Sequence, residues 1–215
     1  MIKNLILYII IFFKLCTFSY SDYFSFTKSM RDFENSSAAM FSDPFYSFDI
    51  GYLITEWKNE DSVAEMSSVG NGFILKGRVH YPHINFSTFL VYASSDEITL
   101  SFKNEFPTTK FDNSEINFYG IYSAIDYFIP FGEKLNFLVS IGGGLNKLSY
   151  DFSSYGGDKK NENNFSYFLS SGLGYKAKSN INIYISYNNF GKQNQSNESS
   201  NWSTKGIFIG MELRN

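Results

Sequence analysis

Residues 135–145 read LNFLVSIGGGL, and this stretch decides the fold. Leu135, Phe137, Val139, Ile141 and Leu145 fall on one face of an extended chain, and Asn136, Ser140, Gly142 and Gly144 on the other, because successive side chains of a strand point to opposite sides. One face is bulky and apolar; the other is small and polar. Similar segments recur along the chain in pairs, joined by alternately short and long connections. That is the pattern of a transmembrane β-barrel, with lipid outside and a polar interior.

Alternation predicts seven further strands, over residues 45–57, 73–81, 84–93, 117–128, 165–176, 181–190 and 205–214. In the first, Tyr46, Phe48, Ile50, Tyr52 and Ile54 oppose Ser47, Asp49, Gly51 and Thr55. In the second, Phe73, Leu75, Val79 and Tyr81 face out while Lys76, Arg78 and His80 face in. The third is the poorest: Phe86, Leu90 and Tyr92 are assigned outward, but Phe89 and Val91 contest it. In the last, Ile207, Ile209, Met211 and Leu213 oppose Gly206, Gly210, Glu212 and Arg214. Most of these segments approach the roughly 9–11 residues that a tilted strand needs to cross a bilayer.

The connections sort into two kinds. Short ones lie at residues 82–83, 130–134 and 177–180; long polar ones lie at 58–72, 94–116, 151–164 and 191–201. Short turns on the periplasmic side and long loops outside is the outer-membrane arrangement. Residues 98–106, ITLSFKNEF, also alternate. A ninth strand there would split the short turns between the two sides, so the segment is expected to be a β-extension carrying the second hairpin beyond the membrane. The predicted fold is all-β: a closed antiparallel eight-stranded transmembrane barrel with an up-and-down meander. Closure is expected between the last strand and the first, since an unpaired edge in lipid is costly.

Alternation alone does not say which face points inward, because a soluble barrel has an apolar interior. Size does. The polar faces carry Gly142, Gly144, Gly172, Gly174 and Gly210, which suit the crowded inside of an eight-stranded closure. Two aromatic belts support lipid outside: Tyr46, Tyr81, Tyr127 and Tyr175 near the short turns, and Trp57, Phe73, Tyr119 and Trp202 near the long loops. Composition agrees, with 24 Phe and 16 Tyr among 215 residues and a charged fraction of only 18%. No apolar block reaches the length of a membrane helix.

Residues 1–21 are expected to be a cleaved secretory signal. Lys3 opens it, residues 5–13 form a nine-residue apolar core, and Ser19-Tyr20-Ser21 closes it with small residues at the two positions that a peptidase reads. Residues 22–43 have no clear period and are expected to be a periplasmic lead-in, leaving 44–215 for the barrel. Cys16 is the only cysteine. Residues 13–15 before it lack the small residue of a lipoprotein signal, and its removal with the signal leaves neither a disulfide nor a thiol. The net charge of −3 does not suggest nucleic acid.

Two runs, GFILKGRVHYPHINFSTFLVY at 72–92 and NFYGIYSAIDYFIPFGEKLNFLVSIGGGL at 117–145, resemble the most recurrent hairpins of the small outer-membrane β-barrel family of Gram-negative bacteria. That family includes the OmpA-type transmembrane domain, OmpX and the opacity-type adhesins. The likeness covers residues 45–214 and carries fold information rather than functional detail. It implies an outer-membrane address, contact with outer-membrane lipid and lipopolysaccharide, insertion by the barrel-assembly machinery and a monomeric state. It also implies a terminal aromatic residue read by that machinery; here the chain closes Leu213-Arg214-Asn215, and Leu213 is expected to substitute.

The candidate site is a charge network on inward positions: Asp49, Lys76, Arg78, Asp126, Lys176, Glu212 and Arg214. Asp49 is placed to meet Arg78 and Arg214. The network is read as a hydrogen-bonded plug in a lumen mostly filled by side chains, with a gate in a narrow conduit as the alternative. No catalytic, cofactor or metal-binding set is predicted: no cluster has metal-ligand spacing, and no Gly-Xaa-Ser-Xaa-Gly or phosphate loop occurs. Enzymes of similar fold that modify lipid A need a His, a Ser and a carboxylate near the outer leaflet. His80 and His83 flank a periplasmic turn instead and are expected to face water. The expected role is therefore structural or surface interaction through long extracellular loops. The alternatives are an adhesin or surface antigen, a narrow pore and, least favoured, a lipid A-modifying enzyme; any extracellular ligand is unidentified.

Overall fold

The computed structural model describes residues 44–60, 64–81, 84–102, 109–131, 133–151, 159–194 and 201–214. The expected signal segment and lead-in, residues 1–43, lie outside them. Eight strands follow in order: β1 (Phe45–Glu60), β2 (Ala64–His80), β3 (Asn85–Phe102), β4 (Thr109–Phe131), β5 (Leu135–Asp151), β6 (Lys159–Lys178), β7 (Ile181–Asn194) and β8 (Asn201–Arg214). Each pairs antiparallel with its neighbour, and β1 also pairs with β8, from Ser47 opposite Arg214 to Asn59 opposite Trp202. The sheet is a closed meander, as the alternation predicts; β6 and β7 are paired from Leu169 opposite Asn189 to Lys178 opposite Ile181.

The bulky face points outward. Ile50, Tyr52, Ile121, Ile141, Leu145, Leu173, Ile185, Ile207 and Ile209 are all exposed on the outer wall. On each strand this apolar run stops at a polar outward residue, such as Glu56 on β1, Asn117 on β4, Lys147 on β5 and Asn189 on β7. An outward apolar band of this kind is the girdle of outer-membrane barrels.

Three expectations are corrected. The long connections are largely not loops. β1 and β2 stay paired up to Glu60 opposite Glu65, β3 and β4 up to Leu100 opposite Thr109, and β5 and β6 up to Asp151 opposite Lys159. Residues 98–102 extend β3, which pairs with β4 up to Leu100, as the expected β-extension requires; 103–106 lie outside the described residues. Beyond the band the contrast is inverted, with Trp57, Ile116, Leu148 and Trp202 inward and Glu56, Asn117 and Lys147 outward, so the outward-apolar pattern stops although the ladder continues. Lys58 on this extension lies 3.4 Å from Glu56 and 3.5 Å from Glu65 across the hairpin, and the Glu56 carboxylate first, then Glu65, hold its ammonium above the usual range.

The second correction concerns Trp57 and Trp202, which do not belong to the outer belt: both are fully buried inside the barrel. Their parity, shared with Thr55 and Thr204 respectively, turns them inward, and the Trp57 ring fills the space that Gly70 leaves.

The third correction concerns the lumen, which is polar only in part. Phe89, Phe118, Tyr122, Phe168 and Phe190 occupy inward positions and are buried. Phe89 stacks on Tyr122 at 5.4 Å and meets Phe168 edge-on at 4.7 Å. Phe190 touches Phe118, Tyr122 and Phe168 at 5.5 Å each. Phe89 and Val91 made β3 ambiguous because both faces of that strand are apolar. The inward glycines make room for these rings: a Cβ at Gly120 or Gly144 would strike the Tyr122 ring, and one at Gly210 the Phe208 ring. Further rings and aliphatic side chains, including Trp57, Trp202, Ile116 and Leu148, are buried towards the outer end.

Candidate functional site

Inward parity on β2 puts Lys76, Arg78 and His80 in a column, and neighbouring strands bring carboxylates to it. Asp49 lies opposite both Lys76 and Glu212 in the ladder, and Asp126 lies opposite Asn85 and Ser140. Arg78 is the hub. Its Nη2 is 2.8 Å from Asp49 Oδ2, its Nε donates to Asp126 Oδ2 at 2.7 Å, and its Nη1 is 3.1 Å from Glu212 Oε1. All four of these side chains are sealed from solvent. Lys76 Nζ adds a longer contact to Asp126 at 3.7 Å and sits 5.0 Å above the Phe89 ring, which links the charge cluster to the aromatic layer.

Further donors to these groups come from β7, β8 and β3. Tyr184 OH donates to Asp49 Oδ2 at 2.5 Å, Asn182 Nδ2 to Glu212 Oε2 at 2.7 Å, and Arg214 Nη2 to Glu212 Oε2 at 3.1 Å. Asn85 Nδ2 donates to the Asp126 carbonyl at 3.2 Å. Three carboxylates thus meet Lys76, Arg78 and Arg214 in a charge-balanced set. Burying charges is tolerable only when each is paired and hydrogen-bonded.

Six of the seven predicted residues converge here: Asp49, Lys76, Arg78, Asp126, Glu212 and Arg214. Arg214 reaches Glu212 rather than the expected Asp49. Lys176 does not join; it is exposed at the end of β6, beyond the buried column that ends at Gly174. Sequence reasoning missed Tyr184 and Asn182, although a tyrosine between Asn182 and Ser186 on a polar face was a usable signal: its hydroxyl needs a buried partner.

His80 faces in, as its parity predicts, but it does not meet water as expected. It is buried and stacked on Phe45 at 4.2 Å; its Nε2 lies 2.7 Å from Ser47 Oγ and 2.9 Å from Glu212 Oε1. His83 lies outside the described residues. Ser47, His80 and Glu212 do not form a nucleophilic triad, because serine and carboxylate share one ring nitrogen, whereas a relay needs one on each. Among the described residues no group of His, Cys, Asp and Glu is placed to hold a metal; the carboxylates close on the Arg78 guanidinium instead. What the arrangement does chemically is fill and lock the inner end of the lumen.

No family model and no curated protein matches the sequence. Its fold, however, is similar to solved barrels. Ail, the attachment invasion locus protein of Yersinia pestis, aligns at 15% identity and TM-score 0.51 over 80% of this chain and 99% of that one. Neisserial surface protein A aligns at 15% identity and TM-score 0.52 over 77% and 96%. The outer membrane protein OprG of Pseudomonas aeruginosa aligns at 9% identity and TM-score 0.54 over 79% and 95%. With the closed register, the outward apolar band and these likenesses together, the chain has the fold of the small eight-stranded outer-membrane β-barrels.

Proposed function

We propose that this chain resides in the outer membrane and serves at the cell surface in a structural or interaction role, rather than in catalysis or transport. The observation that carries this reading is a lumen blocked by the Arg78 cluster and the aromatic rings around Tyr122, beneath hairpins that outrun the apolar band. A filled barrel that nonetheless builds tall strand extensions is suited to holding those extensions out, as outer-membrane barrels do with their extracellular segments. On this reading the signal at 1–21 directs export, the barrel-assembly machinery inserts a monomer, and outer-membrane lipid and lipopolysaccharide surround it. The partner, if the role is interaction, meets the polar hairpin tips that carry Glu65 and Lys159.

The test is membrane-impermeant maleimide labelling of whole cells carrying single cysteines. Glu65→Cys and Lys159→Cys are expected to label in intact cells, and Ser179→Cys, in a short turn, only after lysis. The reverse pattern would place the hairpins in the periplasm and end the surface reading. Ohmic conductance in planar bilayers would instead favour a pore.

A further inference from the structure

The outer wall is not uniform around the barrel, and the register shows where it changes. Directly paired across β2 to β6, the outward residues at the outer edge of the apolar band are Phe73, Tyr92, Tyr119, Lys147 and Asn163. Three aromatic rings, in contact at 5.5 and 5.0 Å, give way to a cation and an amide. Lys147 is exposed and has no ion pair among the described residues.

Below this row the wall is hollow. A groove of about 700 Å³ lies between Tyr119 and Lys147 at its head and Leu90, Ile121, Leu145 and Phe165 along its bed. A second depression, of about 480 Å³, lies deeper on the same wall over Thr88 and Ser123, between Phe86, Ile125 and Ile141. It exists because Gly77, Thr88, Ser123 and Gly143 are paired in one outward row of small side chains, and at Gly77 nothing lies within 4 Å of where a Cβ would stand. From Tyr119 to Ile125 the two depressions span roughly 20 Å of strand at about 3.3 Å per residue.

We propose that this channel in the wall binds one lipid of the outer leaflet, with its phosphate on Lys147 and Asn163 and an acyl chain laid along Ile121 and Leu145 towards Ser123. The occupant follows from charge and depth. The bed faces the hydrocarbon, so what fills it comes from the bilayer rather than from water. Its head is lined by Lys147, Asn163 and Asn164 beside Tyr92 and Tyr119; the lysine and the amides can donate to an anionic oxygen, and phosphate offers several such acceptors. The lysine stem reaches along apolar surface while its charge stays at the interface. The site lies beyond the surface role proposed above and rests only on the placement of the long hairpins at the outer face.

The test uses full-length barrel in detergent titrated with diphosphoryl lipid A, bound lipid being read by native mass spectrometry. Unboiled gel migration confirms that each variant is folded. Wild type is expected to retain one equivalent; Lys147→Gln and Ile121→Trp each weaken retention about tenfold, the scale of one charge-assisted contact, while Lys147→Arg and Lys159→Gln keep it. Phosphatidylcholine, whose phosphate is neutralised by its own ammonium, is expected to be retained about tenfold less well than lipid A. Loss in Lys147→Gln alone would mean general surface charge, loss in Ile121→Trp alone an apolar crevice without headgroup recognition, and loss in neither, or equally in Lys159→Gln, no site; each result overturns the proposal. Because detergent-solubilised protein has no sidedness, failure here is separate from failure of the labelling experiment.

Discussion

Arg78 Nε donates to Asp126 Oδ2 across 2.7 Å, joining β2 to β4 over the intervening β3. The bond crosses the lumen rather than following the wall, and the same guanidinium holds Asp49 on β1 and Glu212 on β8. One side chain therefore ties β2 to β4 and to β8, which the ladder connects to it only through a neighbouring strand.

Removing that hub leaves three buried carboxylates facing one another. Arg78→Met is expected to destabilise the folded barrel by roughly 3–5 kcal/mol, the cost of breaking a buried pair by deleting one partner. Lys76→Met, which removes one ion pair at 3.7 Å and the cation's place over the Phe89 ring, is expected to cost less. Urea unfolding of the protein in lipid vesicles, followed by gel mobility, measures both; equal effects would show that Arg78 is not the centre.

The two faces of β5 give a sharper contrast. Ile141 is 59% exposed on the outer wall, so Ile141→Arg is expected to cost about 2–4 kcal/mol at mid-bilayer. Asn146 faces in, donating to Tyr122 Oη at 3.0 Å and Ser166 Oγ at 2.7 Å. Asn146→Leu, which leaves two hydroxyls without that donor, is expected to cost about 1–3 kcal/mol. The same vesicle unfolding experiment reads both.

Inward and outward glycines should also part company. At Gly142 a Cβ would press into the Ser123 carbonyl and stand 2.7 Å from Ala124 Cα, whereas at Gly77 it would meet open space. Gly142→Val is expected to lose about 1–3 kcal/mol or more through overpacking against backbone, and Gly77→Ala to fold with wild-type yield. Refolding yield into detergent micelles separates them.

On the proposed reading the charge cluster and the aromatic layer linked to it by Lys76 both plug the lumen, so opening one is not expected to open a path. Phe168→Ala, which removes a ring touching Phe89, Tyr122 and Phe190, leaves the Arg78 cluster intact. Planar-bilayer recordings are expected to show no steady conductance for the wild type or this variant. Steady current through wild type would contradict the plug.

Strand number, closure and facing were legible because lipid imposes a strong contrast between faces: on β7, Ile183 and Ile185 against Asn182 and Ser186 leave only one arrangement. The sequence pattern failed where that contrast vanishes. On β3, Phe89 and Val91 face in beside outward Phe86 and Leu90, so both faces are apolar. Past Glu56 and Asn117 the outward face turns polar while Trp57 and Ile116 face in, and the paired hairpin, lacking an outward apolar run, reads as loop. Trp57 and Trp202 were assigned to a belt by their distance from the loops, although their parity with Thr55 and Thr204 turns them inward. His80 likewise shares the parity of Lys76 and Arg78, which outweighs its nearness to a turn. The charge cluster was legible residue by residue because inward charges in so narrow a barrel must find one another; Lys176 escaped because it sits past the end of the enclosed column.

The outward direction of the bulky face underlies every claim made for this molecule. Nitroxide labels placed singly at Ile141, Leu169 and Ile207 in protein reconstituted into bilayers test it by collision with oxygen dissolved in the hydrocarbon and with a water-soluble nickel chelate. All three are expected to collide with oxygen and to be shielded from nickel. Labels shielded from both reagents, or reached by nickel, would mean that these side chains do not meet lipid.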